Sequence, residues 1–195
     1  MNRRHGAIAA VVVFGLIAAW TLFIGLPRWY AGRQTPGSAG AAATPAASNA
    51  AVRKITATLF YVSEDGMALT RVQREVPFGA TVAEQARAIV EAQLAPATPL
   101  VSAVPPDVKL RDVFVTERGD AFVDLSGEIT GRHPGGSLDE IFTVYTIVNA
   151  LTVNLPAIAR VQILVDGKEV DTLAGHVDLR HPLAKSLDWV LNDTH

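Results

Sequence analysis

The stretch that decides the fold runs from residue 137 to residue 172 and reads SLDEIFTVYTIVNALTVNLPAIARVQILVDGKEVDT. It opens on Ser137-Leu138-Asp139-Glu140, a capping-box pattern in which a hydroxyl group and a later glutamate satisfy free N–H groups at a helix start. Proline cannot continue a helix, so Pro156 ends this one by Leu155. The pattern predicts a helix from Ser137 to about Val153. Its expected buried face, read from the i, i+3, i+4 spacing, consists of Leu138, Ile141, Phe142, Tyr145, Val148 and Leu151.

The second half of the same stretch predicts a β-hairpin. Residues 161–165 and 168–172 are of strand type, and Asp166-Gly167 between them is a strong signal for a two-residue turn. Similar hairpin patterns occur twice upstream. Their strands are 55–62 and 68–75 around Glu64-Asp65-Gly66, and 110–116 and 121–125 around residues 117–120.

A second capping box, Thr81-Val82-Ala83-Glu84, predicts a helix that ends at about Leu94. The order of elements is then β-β-α-β-β-α-β-β, with hairpins as the commonest connection. This order predicts an α+β fold: a mostly antiparallel or mixed sheet built from β-hairpins, with two helices packed on one face. Two stretches are expected to be irregular, the proline-rich 95–107 and the glycine-rich loop 131–136.

The N-terminal region predicts a membrane anchor. Residues 6–26 carry no charge, and 21 helical residues span roughly 32 Å, enough to cross a bilayer core. Arg3 and Arg4 precede the run, and Trp29-Tyr30 follow it as an interfacial aromatic pair. A cleavable signal peptide would have a shorter apolar core, so an uncleaved anchor is favoured. The basic N-terminal tail favours a single-pass topology with the N-terminus in the cytoplasm and the C-terminal domain outside it.

The remaining chain divides into a linker and one domain. Residues 31–51 are almost entirely Ala, Gly, Pro, Ser and Thr, a composition that cannot bury a core. We therefore expect an anchor over 1–30, a flexible linker over 31–51 and a single domain over 52–195. That domain carries 13 basic and 19 acidic residues, a net charge of −6, which argues against nucleic acid as a partner. The chain has no cysteine, which excludes disulfides, thiolate metal sites and an acylated cysteine.

Three weak patterns could each be a binding or modification site, but each also has a structural explanation. Gly131, Gly135 and Gly136 could cradle an anion before a helix, although a loop that needs backbone freedom explains them better. His176, Asp178 and His181 could ligate a metal, but short spacing does not make ligands converge. A C-terminal segment that folds back on the sheet and satisfies its own backbone explains these residues better. The sequon Asn192-Asp193-Thr194 sits at a chain end and carries little weight.

A pair of carboxylates is the remaining catalytic candidate. Asp124 lies on a predicted strand with Glu128 nearby, and two carboxylates with His133 in one deep pocket would suit a hydrolase. The favoured interpretation is that Asp124 caps a turn. The chain has no Gly-x-Ser-x-Gly, His-Glu-x-x-His, Walker or Gly-x-Gly-x-x-Gly motif. We therefore expect no catalytic residues, no metal, no cofactor and no enzyme activity.

Strand edges are the more informative candidate for function. Hairpins at the border of a small sheet leave unpaired backbone groups that can accept a strand of a partner or of a neighbouring copy. Homo-oligomers would be compatible with such edges. The competing interpretation is an edge protected by charge, which Arg71, Arg74 and Glu75 on the second strand would provide.

Seven segments between residue 55 and about residue 183 together resemble the GerMN domain family of sporulation and germination proteins. They are Leu59-Phe60-Tyr61, Arg74-Glu75-Val76-Pro77, Ser102-Ala103-Val104-Pro105, GDAFVDLS at 119–126, TIVNALT at 146–152, VQILVDG at 161–167 and AGHVDL at 174–179. The resemblance implies a bacterial, extracytoplasmic, membrane-tethered domain without known catalytic residues. It also implies a role at the cell envelope that is linked in some members to sporulation or germination.

The sequence thus predicts a non-catalytic interaction or assembly module. Its expected partners are the membrane, through the N-terminal helix, and an envelope protein or peptidoglycan. Two alternatives remain open at this point: a peptidoglycan hydrolase or hydrolase helper, and a small-ligand sensor.

Overall fold

The structure is a computed structural model that describes residues 53–192. The predicted anchor, the predicted linker and the last part of the sequon, at 193–195, lie outside the described residues. No helix among residues 53–192 is long and apolar enough to span a bilayer.

The described residues form seven strands and three helices, and the predicted order of the main elements is confirmed. The strands are β1 Lys54–Val62, β2 Leu69–Pro77, β3 Leu110–Val115, β4 Asp120–Leu125, β5 Arg160–Val165, β6 Lys168–Glu169 and β7 Leu183–Ala184. The helices are α1 Val82–Leu94, α2 Glu128–Gly131 and α3 Ser137–Asn154. Helix α2 and strand β7 had not been predicted, because each is too short to show a periodic pattern.

The strands form two sheets. β1 and β2 make an antiparallel hairpin that pairs from Lys54↔Pro77 to Val62↔Leu69. The second sheet is mixed: β3 and β4 are antiparallel, whereas β4 and β5 are parallel. The connection from β4 to β5 runs through α3, and a crossover of this length is what a parallel pair requires. β6 and β7 both pair antiparallel with β5. The predicted α+β class with a mixed sheet is confirmed.

Helix α3 is the centre of the core. It contacts β1, β5 and β7, while α1 contacts β1, β2, β3 and α3, so one core joins both sheets. Between Phe142 and Leu151 only Tyr145 is not fully buried, so α3 is covered nearly all round. The predicted buried face was too narrow, because Thr143, Thr146 and Asn149 are also completely buried.

Two local predictions about turns and caps are confirmed. Thr81 caps α1: the Glu84 N–H donates to its hydroxyl oxygen, and the Glu84 carboxylate accepts from the Thr81 N–H. Asp166 and Gly167 have φ values of 49° and 76°, the left-handed conformation that a tight hairpin turn requires. The second strand of this hairpin is shorter than predicted and ends at Glu169, because the following segment turns toward α3.

Candidate interaction site

Asp124 has a structural role in this fold. It is buried on β4, and its Oδ1 accepts the Gly167 N–H at 2.7 Å while its Oδ2 accepts Arg111 Nε at 3.0 Å. Arg111 also reaches the Asp166 carboxylate at 3.5 Å. Asp124 therefore holds a turn, as expected, but the turn belongs to the neighbouring β5–β6 hairpin and not to its own strand.

The structure does not bring the three residues of the hydrolase hypothesis into one hydrogen-bonded group. A hydrogen bond from the Ser126 side chain and the N-terminal backbone of α2 hold the pKa of Glu128 below its usual range, opposite to the shift a general acid needs. His133 accepts the Gly135 N–H at Nδ1, which places its proton on Nε2, 3.2 Å from the Thr143 hydroxyl. Among residues 53–192 no hydrogen bond or ion pair links Asp124, Glu128 and His133.

Two of the three residues of the metal hypothesis are held by other partners, and the third, His181, is exposed. His176 faces Glu140, with Nδ1 3.2 Å from its carboxylate, and Asp178 pairs with Arg180 at 2.6 Å. Hydrogen bonds from Arg180 lower the pKa of Asp178. Within the described part of the chain no three His, Asp or Glu side chains converge as metal ligands. The segment does fold back on the sheet, because β7 pairs with β5.

The glycine loop before α3 is a poor anion cradle. Gly135 and Gly136 have φ values near 88°, so they supply the backbone freedom that the structural interpretation required. The Gly135 N–H is already used by His133. Asp139 and Glu140 lie in the first turn of α3, where their negative charges would repel an anion.

The second predicted capping box, formed by Ser137 and Glu140, is wrong. No side chain caps α3, whose N-cap position is Gly136 and not Ser137. Instead the Glu140 carboxylate is completely buried and accepts three backbone N–H groups from the C-terminal segment. These donors are Leu173 at 2.7 Å, Ala174 at 2.9 Å and His176 at 2.7 Å. Burial alone would raise the pKa of Glu140, but the backbone hydrogen bonds outweigh it and hold the pKa below its ordinary value.

On the outer edge of β1, side-chain amides hydrogen-bond to the backbone N–H and C=O groups that a neighbouring strand would otherwise pair with. Gln93 of α1 accepts the Phe60 N–H at 2.9 Å and donates to the Phe60 carbonyl at 2.7 Å. Asn154 of α3 makes the same pair of bonds with Thr58, at 2.8 Å and 2.7 Å. Sequence reasoning missed both residues; the available signal was an amide at a core-facing position of each helix.

The outer edge of β2 is closed at one end only. The Leu69 N–H donates to the Trp189 carbonyl at 2.7 Å, and the Leu191 N–H donates to the Leu69 carbonyl at 2.8 Å. Alternation along β2 turns the backbone groups of Gln73 and Glu75 to the same outer side. No strand of residues 53–192 pairs with β2 at these positions. Of the three residues predicted to protect this edge, Glu75 pairs with Lys54 at 3.0 Å, Arg71 donates to the Leu191 carbonyl at 3.0 Å and Arg74 donates to the Tyr61 hydroxyl at 3.1 Å.

A groove of about 710 Å³ lies at the turn end of the same hairpin. Its lining consists of Val62, Ser63, Glu64, Asp65, Thr70, Val72, Pro99, Leu100, Val101 and Leu191. Val101 and Leu191 are 59% and 46% exposed, unusually high for large apolar side chains. A smaller depression of about 210 Å³ lies at the C-terminal segment and is polar, lined by Asp171, Thr172, Gly175, His176, Asp178 and Arg180. The groove and the open edge of β2 therefore form the candidate interaction site.

A solved structure with two GerMN domains has a similar fold at low sequence identity. The tandem GerMN domains of the sporulation protein GerM from Bacillus subtilis align with a TM-score of 0.50 and 18% identity, over 69% of this chain and 46% of that chain. This chain thus spans about half the length of the tandem structure. The first GerMN domain of the same protein aligns with a TM-score of 0.46 and 19% identity, over 67% and 95% of the two chains.

A candidate lipoprotein from Clostridium perfringens aligns with a TM-score of 0.49 and 24% identity, over 68% of this chain and 88% of that chain. No curated protein sequence matches the chain. The Germane family, described as "Sporulation and spore germination", matches residues 58–171. This match covers more than half of the chain and spans β1 to the end of the β5–β6 hairpin, so the chain belongs to the Germane (GerMN) family.

Proposed function

We propose that this protein is a membrane-tethered, extracytoplasmic domain of the bacterial envelope that works by contact with a protein or cell-wall partner and catalyses no reaction. The observation that carries the proposal is the contrast between the two edges of the first hairpin. Side chains and a loop close the edge of β1 at three successive outward positions, whereas no strand within residues 53–192 pairs with β2 at Gln73 and Glu75. An exposed edge is a common site for adding a strand from a partner.

The uncharged run at 6–26 supports the tether, and the family description supports a link to sporulation or germination. The site residues support the absence of catalysis. Both carboxylate oxygens of Asp124 accept hydrogen bonds from groups that hold the fold, Arg111 and the Gly167 N–H. Glu128 carries a lowered pKa, so it would be a carboxylate and not a proton donor near neutral pH.

The test uses the full chain in detergent, incubated with purified peptidoglycan. We expect no soluble fragments to be released, with or without co-sedimentation of the protein. Release of fragments that Asp124→Asn abolishes would overturn the proposal and establish a hydrolase. The matched control is Asp120→Asn, a carboxylate at the start of the same strand that pairs with Arg160 at 2.8 Å. This control distinguishes the loss of a catalytic carboxylate from a general loss of stability.

A further inference from the structure

We propose that the groove at the β1–β2 turn binds an extended peptide segment of another protein that carries both apolar and basic side chains. The inference rests on the proposed function, since it names the chemistry of the partner that the interaction module would hold. Three features of the groove support this choice of occupant: its walls, its apolar lining and its charge.

Two chain segments from distant parts of the sequence build the walls. The Val62 N–H donates to the Val101 carbonyl at 2.9 Å, which fixes residues 99–101 beside β1. On the other side of the hairpin, the Leu191 N–H bonds to Leu69 and the Leu191 carbonyl accepts Arg71 at 3.0 Å. The groove is therefore held open by backbone hydrogen bonds on both sides, as a preformed site requires.

Large apolar side chains face solvent at and around this groove. Val101 and Leu191 belong to its lining, and both expose more than 40% of their surface. Met67 and Trp189 lie next to it along the chain and are 67% and 38% exposed. Clustered exposed apolar side chains next to a concave surface are typical of an interaction site, because their burial by a partner is favourable.

The charge of the groove selects a basic partner. Among residues 53–192, Glu64 and Asp65 are the charged side chains of the lining, and no lysine or arginine of this range belongs to it. The Ser63 hydroxyl donates to Asp65 at 2.6 Å and the Met67 N–H donates at 3.0 Å, which lowers the pKa of Asp65 and keeps its carboxylate ionised. Unpaired negative charge at one end of an apolar groove attracts lysine or arginine and repels anionic lipid.

The experiment measures fluorescence anisotropy of labelled peptides with the full chain in detergent. The probe has the sequence GLVKLKG, and two matched peptides replace its lysines (GLVELEG) or its apolar residues (GSTKSKG). We expect GLVKLKG to bind and each matched peptide to bind at least about threefold more weakly, the effect of one or two exposed charges or contacts. Equal binding of the lysine and glutamate peptides, or no binding at about 1 mM, would overturn the inference.

Two groove variants and one control locate the binding. Glu64→Lys and Val101→Lys should each weaken GLVKLKG binding by about three- to fivefold. Both side chains are exposed, so folding should be retained. The control Glu117→Lys changes an exposed glutamate in the β3–β4 turn and should leave binding unchanged. Groove variants that leave peptide binding unaltered would refute the site.

Other occupants are separate outcomes that contradict the inference. Displacement of GLVKLKG by a water-soluble phosphoserine headgroup would assign the groove to a lipid headgroup; vesicles are unsuitable because the predicted anchor would insert into them in wild type and variants alike. Self-association of the chain that both variants abolish would assign it to a second copy. Failure of peptide binding without peptidoglycan turnover removes only this inference, whereas turnover removes the proposed function.

Discussion

Replacing Glu140 is the sharpest test of how this fold is held together. The buried carboxylate ties the start of α3 to a segment 33 to 36 residues further along the chain, through the N–H groups of Leu173, Ala174 and His176. Hydrogen bonds to a charged group contribute about 1.5–3 kcal/mol each, and removal of a buried partner leaves its donors unsatisfied. Water that enters the site in Glu140→Ala would satisfy some of these donors, so the loss should be smaller than the sum of the three hydrogen bonds. We therefore expect Glu140→Ala to destabilise the domain by about 3–5 kcal/mol.

A loss of this size is a large share of the roughly 5–15 kcal/mol that stabilises a typical domain. For a domain of this size it corresponds to a fall in Tm of roughly 10–15 °C. The assay is thermal unfolding of the full chain in detergent, followed by circular dichroism. Glu140→Gln keeps the size and one acceptor oxygen, so it should lose less, about 1–3 kcal/mol.

The matched control is Asp139→Asn, because Asp139 is exposed in the same first turn of α3. A carboxylate there gains only about 0.3–1 kcal/mol from the helix dipole. The account would be refuted if Glu140→Ala lost no more stability than this control, since Glu140 would then act as an ordinary helix-start charge.

The same carboxylate predicts a pH dependence. Its pKa in the folded protein lies below its ordinary value of 4.5, so its stabilising contribution is complete above pH 4.5. The contribution is lost as the pH falls through the lower, folded-state pKa. The stability difference between wild type and Glu140→Gln should therefore shrink as the pH falls below about 4.5.

Three further substitutions test the other contacts. Gly167→Val forces a β-branched residue to φ 76° and should cost about 1–3 kcal/mol; unchanged thermal stability would count against the hairpin turn. Gln93→Leu leaves the Phe60 N–H without its acceptor and the Phe60 carbonyl with only the Thr146 hydroxyl at 3.4 Å, and should cost about 2–4 kcal/mol in chemical denaturation, whereas a loss below about 0.5 kcal/mol would show that β1 needs no cover. Thr81→Ala removes the confirmed cap of α1 and should cost about 1 kcal/mol by the same assay, with a stability equal to wild type as the contradicting result.

The sequence predicted those features whose partners are close in the chain. The capping box of Thr81 and Glu84 and the turn of Asp166 and Gly167 each involve residues at most three positions apart. Local backbone chemistry decides such features, so their residue types suffice to predict them. The similar pattern at Ser137 predicted a capping box that does not form. The N–H groups that donate to the Glu140 carboxylate belong to a segment more than 30 residues away.

The candidate site could be predicted only in outline. Open strand edges were expected at hairpin borders in general. Which edge is covered could not be predicted, because the cover on β1 depends on the amides of Gln93 and Asn154, which meet β1 only in the folded chain. The groove likewise needs Val101 and Leu191, which lie 90 residues apart and become neighbours of one hairpin through two backbone bridges. No periodic pattern in the sequence indicates such a meeting.

The most direct test of the central claim, that this domain works by surface contact at one hairpin, is site-specific photo-crosslinking in the native cell. A crosslinking residue would replace Gln73 on the open edge, Val101 on the groove wall, or Arg118 in the exposed β3–β4 turn as control. The account predicts discrete crosslinked products with envelope components from Gln73 or Val101 and none from Arg118. Products from Arg118 alone, or from none of the three positions, would contradict it.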